Sequence, residues 1–94
     1  MIPITIEELE QKLKQWENTT VNLVLEGMIA TVIKIENEKV EYTQDEIIIW
    51  NKNEQEVKVI LNRHQIMKME KQNENCFSVK FDALQGVTFI QFFS

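Results

Sequence analysis

From Met28 to Thr43 the chain alternates in steps of two, which is the period of a β-strand. Met28, Ala30 and Val32 fall on one face of this stretch, and Ile29, Thr31, Ile33 and Ile35 on the other. Glu36-Asn37-Glu38-Lys39 interrupts the apolar run, and Asn tolerates positive φ, so a two-residue hairpin turn is predicted at Asn37-Glu38. Lys39 to Thr43 is the return strand, with Val40 and Tyr42 on one face and Lys39, Glu41 and Thr43 on the other. Ahead of it, Ile6, Leu9, Leu13 and Trp16 recur at helical spacing. Thr5 is placed to cap that helix, with Glu8 three residues on and Ile4 and Leu9 set for a hydrophobic staple. The spacing predicts a helix over about 6–17, ending after Asn18 at the β-branched pair Thr19-Thr20, with Trp16 in the core.

The remaining pattern is a series of short strands. Val21 to Glu26 puts Val21, Leu23 and Leu25 on one face, and Gly27 marks a bend. Ile47 to Trp50 reads as a buried strand, and Asn51 to Gln55 as a turn. Glu56 to Leu61 alternates with Val57, Val59 and Leu61 inward. Asn62-Arg63-His64-Gln65 is a loop or single helical turn, followed by a strand over Ile66 to Glu70 and a polar turn over Lys71 to Asn75. Cys76 to Phe81 and Val87 to Phe93 are strands separated by a loop at Asp82 to Gly86. Connections of two to five residues favour antiparallel neighbours and leave no room for helical crossovers. The fold class is therefore mostly β (α+β): one domain over 1–94, a small antiparallel barrel or strongly curved sheet over about 20–93, with an N-terminal helix.

In strand order, the leading helix, TVNLVLEG, MIATVIKIEN, EKVEYTQDEIIIW, EVKVIL, NRHQ and IMKME resemble the Sm-like and SH3-like small barrels. The resemblance spans about residues 5–70 and leaves Cys76 to Ser94 as an added C-terminal hairpin. The Sm-like proteins imply an RNA-binding residue pattern in the turn that Asn51 to Gln55 occupies here, and those residues do not supply one. Strand order carries no function by itself.

The last strand adds a question of cover. Val87, Phe89, Gln91 and Phe93 share one face, and Thr88, Ile90 and Phe92 the other. A strand apolar on both faces lies between two layers or at an interface. Ile90 and Phe92 need a second layer, supplied by the helix or by a second subunit, and they are the candidate self-association residues of a homo-oligomer.

Charge changes the picture more than composition does. The net charge is −5, and the window Glu36–Glu56 holds seven acids against Lys39 and Lys52, so the rest of the chain is neutral. Glu36, Glu38, Glu41, Asp45 and Glu46, beside Tyr42, form a candidate acidic docking surface for a basic protein partner. The same acidity argues against direct nucleic-acid binding, which needs a positive footprint. A phage-type nucleic-acid mimic that inhibits a nucleic-acid-handling enzyme is the alternative use of such a surface. Lys outnumbers Arg nine to one and Ile, Asn and Glu are frequent, a usage expected of an AT-rich bacterial or phage genome.

Catalytic chemistry is thinly supplied. His64 and Cys76 are the single residues of their kind, with no spacing that pairs them and no metal-ligand cluster around them. Gly27 and Gly86 stand alone, so no phosphate-cradling loop is encoded, and no cofactor is expected. One cysteine forms no internal disulfide. The N-terminal MIPITIEELEQK has no signal-peptide pattern and no run is long enough for a membrane helix, so a soluble cytoplasmic protein without membrane partners is expected. The expected function is a non-catalytic, self-associating protein-interaction module, with an enzyme or small-ligand protein using His64 or Cys76 as the least supported class.

Overall fold

The computed structural model describes residues 1–27, 30–52, 58–84 and 87–94, without the side chains of 58, 83, 84 and 87. The predicted strand start at Met28, the turn residues 53–55, the acids Glu54 and Glu56, and Gly86 lie outside the described residues.

One helix and eight strands are seen among the described residues. They are β1 (Ile2–Pro3), α1 (Ile6–Gln15), β2 (Thr20–Gly27), β3 (Thr31–Tyr42), β4 (Glu46–Asn51), β5 (Lys58–Asn62), β6 (Ile66–Asn73), β7 (Cys76–Leu84) and β8 (Val87–Phe93), with a 3-10 turn at Arg63–Gln65. The strands form one antiparallel sheet in the order β1-β6-β7-β8-β2-β3-β4-β5. Among the described residues the sheet is not closed: β5 pairs only with β4, and β6 is bordered by the two-residue β1. It is nonetheless curved. Eight flat strands would span about 34 Å at the usual spacing, whereas the longest dimension of the Cα trace is 29 Å and the other two are 26 and 25 Å. The 3-10 turn also runs from β5 at one end of the sheet to β6 near the other, and so few residues reach only about 15 Å.

The concave side holds the core. Leu9 and Leu13 of α1 and its C-cap residue Trp16 pack with Val21, Leu23, Ile35, Val40, Ile47, Ile49, Leu61, Phe77, Val79, Phe81, Ile90 and Phe92. Trp16 meets Phe77 edge to face, with ring centroids 5.7 Å apart. Thr5 caps the helix, its hydroxyl accepting from Glu8 N–H at 3.2 Å, and Ile4 is buried with Leu9 as the staple requires. The helix ends at Gln15 with Trp16 as its C-cap, and the turn that follows reaches Asn18, which adopts φ 64, the left-handed conformation that Asn tolerates.

Four expectations are corrected. The hairpin turn at Asn37-Glu38 is absent, because β3 runs straight through it as one twelve-residue strand. Glu38 is the extra residue of a bulge between the β4 partners Asn51 (opposite Asn37) and Trp50 (opposite Lys39). There the strand changes partner, its first half pairing with β2 and its second with β4. The polar run thus marks a partner switch, and the chain reverses later, where Thr43 Oγ1 accepts from Asp45 N–H at 3.3 Å and Glu46 N–H at 2.9 Å. Strand β6 continues through Lys71 to Asn73, so the predicted turn there shrinks to Glu74-Asn75. Strand β7 likewise runs on through Asp82, where a loop is predicted. Finally, Ile90 (5 % exposed) and Phe92 (0 %) face the core beneath the helix, so their cover comes from within the chain. It is Phe89, Gln91 and Phe93, half-buried, that point outward. No helix among the described residues is long and apolar enough to cross a membrane.

Candidate functional site

Cross-strand register decides which residues share a face, because directly opposed residues point the same way. On the outer side of β3–β4–β5, Glu41 stands opposite Ile48 and Ile48 opposite Ile60, forming one row across three strands. Lys39 stands opposite Trp50 in the next row, and Glu46 opposite Asn62 in the row beyond. Ile60, 41 % exposed, lies on the strand that ends the sheet. An edge strand presents unpaired N–H and C=O groups to an incoming chain.

The acidic residues are spread over this region unequally. Glu41 and Glu46 share the outer face just described, and Asp45 sits in the turn between their strands. Glu41 is ion-paired with Lys39 at 3.1 Å, and the Lys39 ammonium lies 5.2 Å from the Trp50 ring centroid. Asp45 Oδ1 lies 2.7 Å from His64 Nε2, and the Asp45 carbonyl accepts from Arg63 N–H at 2.9 Å. Glu36 is beyond the bulge, where its carboxylate accepts from Thr20 Oγ1 at 2.9 Å. Glu38 occupies the bulge itself. Tyr42 turns toward the helix, where its hydroxyl donates to the Glu10 carbonyl and Lys14 Nζ lies 5.8 Å from its ring centroid. Burial, followed by the Glu10 and Glu17 carboxylates, pushes the Tyr42 phenol up to about 12.

Sequence reasoning missed the apolar half of this face. In Ile47-Ile48-Ile49-Trp50 all four residues are apolar, so period-2 reading cannot tell the inward pair from the outward pair. The structure sends Ile47 and Ile49 into the core, each 0 % exposed, and turns Ile48 and Trp50 to the outer side, where Ile48 is still buried at 9 % exposed and Trp50 is half-buried. For Ile60 a signal existed: it falls out of phase with Val59 and Leu61.

The other chemistry-bearing residues are held apart. Arg63 donates to the Thr43 carbonyl at 2.9 Å and meets Glu10 Oε1 at 3.4 Å, and with His64 it lines an open cavity of about 410 Å³ whose other walls include Ile6, Ile66 and Met69. Each charge there is already partnered, so these contacts lock the 3-10 turn to α1 and to the β3–β4 turn. Cys76 starts β7, buried, with its thiol 3.4 Å from Gln72 Oε1, and burial pushes that thiol up. A buried thiol held in its neutral form is a poor nucleophile. No group of three or more His, Cys, Asp or Glu suited to a metal ion occurs among the described residues. No family model, curated protein or solved structure matches this chain.

Proposed function

We propose that this chain is a non-catalytic protein-interaction module that docks an extended segment of a partner along the outer face and open edge of β4–β5. The observation that carries the reading is the row Glu41–Ile48–Ile60 with Trp50 beside it, ending at a strand paired on one side only. Backbone pairing at such an edge supplies affinity, and alternate side chains falling on Ile60 and Trp50 supply specificity. Glu41, Asp45 and Glu46 border the row and select for a partner with basic residues flanking its apolar ones. A second copy of this chain is one such partner, and self-association then uses the β5 edge rather than Ile90 and Phe92.

The small-barrel reading is supported by the leading helix and the 3-10 turn between β5 and β6, which follow the order of the resemblance. The nucleic-acid-mimic alternative calls for unpaired carboxylates in a phosphate-like array. Glu41 and Asp45 are each already engaged by a basic side chain, which favours the docking reading.

The test compares the wild-type chain with Ile60→Lys and with the double variant Glu41→Lys, Glu46→Lys as bait, washed at low and high salt, beside light-scattering mass of each protein alone. Ile60→Lys is expected to abolish capture, while the charge variant weakens it mainly at low salt. A partner retained equally by both variants sinks the reading.

A further inference from the structure

The outer face of β6–β8 carries an arrangement that protein docking does not use. Lys68 of β6 and Lys80 of β7 are direct register partners, with Glu70 opposite Ser78 in the adjoining row. Lys80 in turn stands opposite Phe89 of β8. Like charges directly opposed across a strand pair are destabilising. Four lysines elsewhere are close to an anion: Lys12, Lys14, Lys39 and Lys71 lie at 3.2, 3.5, 3.1 and 2.7 Å from a carboxylate. Lys68 reaches Glu70 at 3.6 Å, and Lys80 has no carboxylate partner among the described residues. Of the two opposed cations, only Lys68 thus has an anion within reach.

Between them lies a cavity of about 340 Å³, lined by Lys68, Glu70, Ser78, Lys80, Thr88 and Phe89. Its hydroxyls are loosely committed. Ser78 Oγ is 3.5 Å from the Glu70 carbonyl, and Thr88 Oγ1 is 3.5 Å from the Glu26 carbonyl, both long for O–H donors. Either can turn to donate to an anion. Phe89 is half-buried and supplies one apolar wall. That size falls at the small end of ligand pockets, which combine an apolar wall with a few convergent polar groups.

We propose that this cavity binds a small phosphate monoester carrying a flat aromatic body, the class to which mononucleotides belong. The phosphate dianion takes the place between Lys68 and Lys80 and relieves their repulsion, with Ser78 and Thr88 donating to its oxygens. The ring lies against Phe89, since stacking on an aromatic face tolerates any base. Glu70 opposes the phosphate and keeps the affinity modest.

The experiment is a heteronuclear NMR titration of the full chain with adenosine 5′-monophosphate, and separately with inorganic phosphate and with adenosine. Saturable shifts centred on Lys68, Ser78, Lys80 and Phe89 are expected with the monophosphate, and weaker ones with either half alone. Lys80→Glu is expected to weaken binding by about tenfold or more, while raising the thermal midpoint because it turns the Lys–Lys pair into an opposite-charge pair. The rise in midpoint separates lost binding from lost folding. Glu70→Gln is expected to tighten binding severalfold, and Phe89→Ala to weaken the monophosphate without changing inorganic phosphate. Absence of saturable shifts at millimolar ligand, unchanged affinity in Lys80→Glu, or equal affinity for monophosphate and inorganic phosphate overturns the proposal.

Discussion

Asn37 shows how one polar residue joins three elements. It is 1 % exposed, its N–H donates to the Thr19 carbonyl at 3.0 Å, and its carbonyl accepts from Asn18 N–H at 2.6 Å. Its side-chain amide donates to the Leu13 carbonyl near the helix end at 3.3 Å. The helix terminus and the β3 bulge are therefore pinned together through a residue that reads, in sequence, as a turn former. Asn37→Ala is expected to cost about 1–2 kcal/mol. Asn37→Asp is expected to cost more, because a carboxylate cannot donate to Leu13 and its charge would be taken out of water. Urea denaturation of both variants checks this, and equal losses would mean that the amide donor is not what holds the junction.

Tyr42 offers a second check at this scale, since it is the single tyrosine and its ultraviolet titration is unambiguous. Its phenol is raised from 10.0 to about 12 in the folded chain. The unfolded chain therefore releases this proton first as pH rises. The stability linked to Tyr42 is fully present below pH 10.0 and is lost on the way to about pH 12. Absorbance is expected to report a midpoint near the upper value in native protein and near the lower in urea. A native midpoint at the lower value would show that Tyr42 is not held against the helix. Cys76 should behave in parallel: a buried thiol pushed up in pKa is expected to react with a thiol reagent only on unfolding. Rapid labelling of the native protein would contradict that placement.

At the scale of elements, the helix was the most legible part of the chain. Its cap, staple and apolar stripe are local features at fixed offsets, and each appears where the spacing puts it. Thr5→Ala is expected to lower stability by about 1 kcal/mol through the lost cap. Leu13→Ala is expected to lower it by about 2–5 kcal/mol, since Leu13 is fully buried against the sheet. Thermal and urea unfolding rank the two, and a larger loss at Thr5 would mean that the helix is held by its end rather than by its packing. Strand identities were legible as well, while strand ends were not. Lys71 and Gln72 are polar and read as turn, yet β6 carries them. The true reversal at Glu74-Asn75 is secured by Asn75 N–H donating to Asn73 Oδ1 at 2.8 Å and by Glu74 bonding both Lys71 and Lys12. Those two lysines hold the Glu74 carboxyl below its usual range. Only the Lys12 contact is long-range, and no local pattern announces it.

For the whole molecule, the decisive quantity is which surface of each strand the curvature turns inward. Residues of α1 and Ile90 and Phe92 of β8 meet in one core, which removes the need for a second subunit to cover that strand. It also leaves two unlike outer faces: exposed Ile60 and half-buried Trp50 with carboxylates on β3–β5, and the Lys68–Lys80 pair with Phe89 on β6–β8. At this scale, Ile60→Lys is expected to change association while leaving the unfolding free energy within about 0.5 kcal/mol of wild type, as surface substitutions usually do. A large destabilisation would place Ile60 in the fold's own packing instead. What the sequence by itself determined is local and periodic: a capped amphipathic helix followed by short antiparallel strands, and an acidic middle third. Each rests on offsets of two to four residues, within which side-chain direction follows from backbone geometry. The partner switch at the β3 bulge, the inward turn of Ile90 and Phe92, and the meeting of Lys68, Lys80 and Phe89 were decided only by the tertiary structure. They depend on register between segments far apart in the chain, and shifting one strand by a single residue exchanges its two faces.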